Sequence, residues 1–69
     1  MEKRIVQNIL NYCRENQMTI MAFEQKCKIA NGSVGKWETG KCKPSFRSIA
    51  KIVEATHIPL EEWVKGENT

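Results

Sequence analysis

The apolar residues of this chain return every three or four positions in five short bursts, and no stretch alternates as a strand would. Ile5, Ile9 and Tyr12 follow one another at helical spacing, with Val6, Leu10 and Cys13 one step round. That period predicts a first helix over about 3–16. Thr19 precedes Ile20, Phe23, Glu24 and Cys27. A threonine hydroxyl accepts well from the orphan N–H groups of a first turn, so a second helix is expected at about 20–27. Lys28-Ile29-Ala30 reads as a tight turn with Ile29 inward. Val34 and Trp37, three apart, define a third helix at about 31–39, and Gly40 supplies the φ > 0 stop. Gly32 and Gly35 inside it cost roughly 1 kcal/mol each, so this helix needs tertiary support. The glycines also let its outer face approach something closely. Ser45 is the next cap, and Phe46, Ile49, Ile52, Val53 and Thr56 carry a fourth helix over about 46–56. After His57-Ile58-Pro59, residues Leu60, Trp63 and Val64 make a last helix of about 60–65, closed by Gly66. The expected architecture is all-α: one compact five-helix bundle over residues 1–69.

A chain of 69 residues holds one small domain. It buries about 60% of the surface its unfolded form exposes, so its stability is expected to be a few kcal/mol. Apolar residues make up 41% and charged residues 28%, the balance of a globular domain rather than a disordered tail. The longest apolar run, Ile20 to Phe23, falls far short of the ~18 residues a spanning helix needs. No basic segment followed by an apolar one opens the chain, so a cytoplasmic location is expected. Cys13, Cys27 and Cys42 are odd in number and lack a C-x-x-C pair. Ordinary reduced thiols fit this better than a disulfide framework or a zinc site, and no metal or cofactor is expected.

The formal net charge of +3 hides an asymmetry. Residues 1–24 balance to zero. Residues 25–51 carry Lys26, Lys28, Lys36, Lys41, Lys43, Arg47 and Lys51 against Glu38 alone, a net +6. Residues 52–69 carry Lys65 against Glu54, Glu61, Glu62 and Glu67, a net −3. A basic middle in a neutral-to-acidic remainder points to one positive face aimed at a polyanion. The plainer reading is a solvated, lysine-rich surface.

Two helices of eight or nine residues joined by a turn of about three have the size of a helix-turn-helix, here at about 19–40. In such a unit the second helix enters the major groove and the first crosses the backbone. The second helix then needs an apolar side for packing, which Val34 and Trp37 provide. It also needs an outer side of small polar or basic residues, which Asn31, Gly32, Ser33, Gly35 and Lys36 provide.

The run from Thr19 to Trp63 resembles the Cro/CI-type helix-turn-helix family, the phage-repressor and xenobiotic-response-element-like transcriptional regulators. The resemblance rests on Ile29 to Ser45: a small polar turn, the β-branched Val34, then Lys36-Trp37-Glu38-Thr39-Gly40-Lys41 and Lys43-Pro44-Ser45. Ile58-Pro59-Leu60-Glu61-Glu62-Trp63 is similar to the family's closing helix. The resemblance implies a lambda-repressor-like fold. It further implies base reading by Asn31, Gly32, Ser33 and Lys36, and phosphate binding by Thr19, Lys41, Lys43, Ser45 and Arg47. The chain departs from the family pattern at four places. Ile20 stands where a polar Gln is common, Glu24 where a small residue is common, and Lys28 and His57 where glycines end the second and fourth helices. Both glycine positions often need φ > 0.

The resulting expectation is a sequence-specific double-stranded DNA-binding regulator, repressor-like, of phage or bacterial type. One such domain has a small footprint, so a homodimer on a palindromic operator is expected, with Leu60, Trp63 and Val64 of the last helix as the dimer surface. Trp37, Trp63 and Phe46 are expected in the core rather than stacked on bases. Cys27 is expected buried, and His57 to act as a helix stop. The alternative is a protein-interaction module on the same fold, an antitoxin or anti-repressor. An enzyme is not expected, because there is one His, no nucleophile–base pair and no glycine loop after a strand. Neither a membrane nor a small-molecule partner is indicated.

Overall fold

In the computed structural model, which describes residues 2–65, the chain forms α1 (Glu2–Glu15), α2 (Ile20–Cys27), α3 (Ser33–Thr39), α4 (Phe46–Thr56) and α5 (Leu60–Val64). The expected stop at Gly66 lies outside the described residues. Among those described there is no strand, and the Cα radius of gyration of 10.9 Å is that of a packed chain of this length. No described helix is long and apolar enough to cross a membrane.

Local chemistry sets the helix ends. Thr19 opens α2 by accepting from the Ala22 N–H at 3.0 Å, and Ser45 opens α4 by accepting from the Ser48 N–H at 3.1 Å. The turn after α1 reverses at Gln17 with φ 53°, where the Gln17 and Met18 N–H groups donate to the Arg14 and Cys13 carbonyls at 3.2 and 2.8 Å. α2 ends the same way at Lys28 with φ 60°, donating to Gln25 at 3.2 Å while the Ile29 N–H donates to Glu24 at 3.0 Å. His57, φ 59°, closes α4 with its N–H on the Val53 carbonyl at 2.8 Å. The left-handed positions expected at 28 and 57 are thus present but filled by side-chain-bearing residues, at a cost of about 1 kcal/mol each.

The core is built where the stripes converge. α1 packs on α3 and α5, and α2 packs on α4. Ile5, Ile9, Phe23, Val34 and Ile52 are sealed from water, with Cys13, Cys27, Ile29 and Trp37 around them. Tyr12, Phe23 and Trp63 form an aromatic triangle with ring centroids 5.6, 5.6 and 6.1 Å apart, the edge-on and tilted spacing aromatic rings prefer. α5 is only five residues long and is held from outside itself. The Asn8 amide of α1 donates to the Trp63 and Lys65 carbonyls at 2.6 and 3.0 Å, and the Trp63 indole N–H donates to Ile58 O at 3.2 Å.

Three expectations need correction. α3 starts at Ser33, not 31, so Asn31 and Gly32 lie in the turn before it. Phe46 is 82% exposed rather than in the core: it is the first residue of α4, and the inward part of that stripe is Ile49, Ile52 and Val53. Trp63 is 3% exposed and belongs to the core, so it offers no dimer surface. Leu60 is exposed and Val64 half-buried.

The cysteines divide by burial. Cys13 and Cys27 are buried and Cys42 is exposed, all three free. Burial pushes the Cys27 thiol up to about 11, only partly opposed by Lys26, and it raises Cys13 as well. At pH 8 one thiol, Cys42, is therefore expected to react promptly with Ellman's reagent, the other two only on unfolding. Two fast thiols in the native protein would contradict this packing. The unfolded Cys27 thiol ionises near 9.0 while the folded one holds its proton to about 11. The stability this contributes is whole below pH 9 and is lost as pH rises to 11. Among the described residues no group of three or more His, Cys, Asp or Glu side chains could hold a metal ion.

Candidate nucleic-acid interface

α3 is seven residues long, and the local sequence places a glycine at its N-cap, which has no side chain to satisfy the first turn. Glu24 of α2 does this instead. Its carboxylate is 2% exposed, and its two oxygens accept from the Gly32 and Val34 N–H groups, each at 3.0 Å. The positive end of α3 faces the same charge. A carboxylate from one helix thus spans the turn and fixes where the next helix begins. Gly32 makes the approach possible by taking φ 87°.

With that end pinned, α3 turns Val34 and Trp37 into the core, at 1% and 6% exposure, and leaves Gly35, Lys36, Glu38 and Thr39 in water. Asn31 and Gly32 are exposed just ahead of it. Ser33 is half-buried, and its hydroxyl donates to Ala30 O at 2.7 Å, so its proton serves the turn. The loop after α3 folds back on the helix. The Gly40 N–H donates to Trp37 O and the Cys42 N–H to Lys36 O, both at 3.3 Å. Lys41 and Lys43 are exposed on this loop, and Ser45 and Arg47 at the start of α4 are exposed next to it. Thr19 is also exposed, at the opening of α2.

The basic middle segment serves two places. Lys26, Lys28 and Lys51 line a groove between α2 and α4 that they share with Glu54, and the Lys51 ammonium donates to the Lys28 carbonyl at 3.3 Å. Lys36, Lys41 and Lys43 belong to α3 and its loop. The α2–α4 grouping is invisible in a count of charge along the chain. So is the clamp by Glu24, although a carboxylate beside the inward positions Phe23 and Cys27 was a usable signal.

Gly35 serves no visible need of the fold. It lies inside α3 without positive φ, and a Cβ built there meets nothing within 4 Å. Gly35→Ala is expected to raise stability by roughly 1 kcal/mol, or the melting temperature by about 4–8 °C. The same substitution is expected to weaken binding of any ligand that lies against α3. A variant neither stabilised nor impaired would show that residue 35 is free to vary.

No family model, curated protein or solved structure matches this chain.

Proposed function

We propose that this protein is a sequence-specific double-stranded DNA-binding regulator, repressor-like, that places α3 in the major groove. The observation that carries the reading is a short, externally clamped helix, packed through Val34 and Trp37, whose outer side is polar and holds Gly35, Lys36, Glu38 and Thr39. The exposed Lys41 and Lys43 follow it directly. Gly35 on that open side costs helix propensity without serving the packing.

In this reading Asn31 and Lys36 read base edges, Asn by pairing with adenine and Lys with guanine acceptors. Gly32 and Ser33 lie at the helix end nearest the bases and allow close approach. Lys41, Lys43 and Arg47 hold phosphates, and the hydroxyls of Thr19 and Ser45 approach them at two helix starts. Two copies bind a palindromic operator. With Trp63 in the core, contact between copies falls to Leu60 and Val64. The setting is the cytoplasm of a bacterial or phage-infected cell.

Titration of a labelled duplex pool at several salt concentrations tests the reading. The three phosphate-holding cations, Lys41, Lys43 and Arg47, give a slope of log affinity against log salt of about −2.7 per bound protomer. A slope near zero, or no retention of duplex at low salt, would overturn it. Co-purification with a protein partner and no affinity for duplex would favour the interaction-module reading instead.

A further inference from the structure

We propose that Phe46 is itself a DNA-contacting side chain, an apolar contact set among the phosphate-gripping cations. This rests on the DNA-binding reading above and extends it to a residue that reading does not use. Phe46 is the first residue of α4 and is 82% exposed. Ser45 precedes it and Arg47 follows it, both exposed, with Lys41 and Lys43 in the loop just before. A phenylalanine this open leaves most of a large ring in water, and no other element of the described chain covers it.

Charge decides between the two occupants such a ring could take. A second copy docked symmetrically through Phe46 would bring its own Lys41, Lys43 and Arg47 to the same contact, setting like charges face to face. A DNA strand brings phosphates to those cations and apolar surface to the ring. The apolar surface a duplex offers there is the thymine methyl group or the face of a deoxyribose. The contact adds affinity without adding a charge. Where it falls on a methyl group, it also adds a preference for thymine that α3 does not read.

The test uses Phe46→Ala and Phe46→Leu against the best duplex selected from a random pool, at several salt concentrations. Phe46→Ala should keep the melting temperature within about 2 °C, since Phe46 is largely exposed and takes no part in the core. Its affinity should fall about tenfold, the effect of losing on the order of 60 Å² of apolar contact, with the salt slope unchanged. Phe46→Leu should keep most of the affinity. Replacing thymine by uracil in the duplex separates the two sources. A loss for the wild type but not for Phe46→Ala assigns the methyl group. Uracil without effect, beside the Phe46→Ala loss, assigns the sugar. Unchanged affinity in Phe46→Ala overturns this proposal alone, as does a salt slope altered by about one. So does weaker self-association of the free protein with unaltered affinity per bound copy. A wild type that binds no duplex overturns the DNA-binding reading and this inference together.

Discussion

Glu24→Ala is expected to lower the melting temperature by about 12–24 °C. The carboxylate is buried and takes two backbone N–H groups at 3.0 Å, one of them, Val34, in the buried core. Hydrogen bonds to a charged acceptor contribute about 1.5–3 kcal/mol each, and alanine leaves both donors without a partner or with water at a poor site. A loss of about 3 kcal/mol or more is most of what a domain this small possesses. Glu24→Gln separates cap from volume. It keeps the size but presents one oxygen and an NH2, so one backbone N–H stays satisfied and the loss should be smaller than for alanine. Where the Ala variant stays folded in the cold, α3 should show the fastest amide exchange, because its start is no longer pinned. A Glu24→Ala melting temperature within about 4 °C of the wild type would remove the clamp from the account.

The second large effect is on affinity. Removing Lys41, Lys43 and Arg47 together, each to Gln, should flatten the salt slope by about three. It should also lower affinity by a factor on the order of 100–1000 at 0.1 M salt, near 0.9 decade per lost phosphate contact. The loss should be the same for every sequence, and the melting temperature should hold, because all three side chains are exposed. Asn31→Ala is the contrasting case. It should relax one base position by about 1–3 kcal/mol and leave the slope alone. If the triple variant and Asn31→Ala alter sequence preference equally, the division between gripping and reading residues is wrong.

Helical period was enough to place α2 and α4, because Thr19 and Ser45 cap them from within their own sequence. The left-handed stops at Lys28 and His57 were legible only through the family resemblance, which places glycines at those two turns. The start of α3 was not. Asn31 is a good cap by type, but the cap that operates comes from Glu24, eight residues before Gly32, and local propensity carries no trace of it. Phe46 fails for a related reason. Period assigns a residue to a face, but not whether a neighbouring element reaches the end of that face. Trp63 is expected both in the core and on the dimer surface, and the structure bears out the core alone, where it completes the triangle with Tyr12 and Phe23. The candidate interface was legible as residue types in order. Its division from the Lys26, Lys28 and Lys51 groove was not, because that grouping joins α2 to α4 across the fold.

Selection of binding sites from a random duplex pool by the intact protein, with the winner footprinted, decides whether α3 reads DNA sequence. One enriched motif is expected, arranged as an inverted repeat with half-sites about 10 bp apart, protected on the phosphates flanking each major groove. A pool that emerges unenriched, or a protein that retains no duplex at low salt, would contradict it.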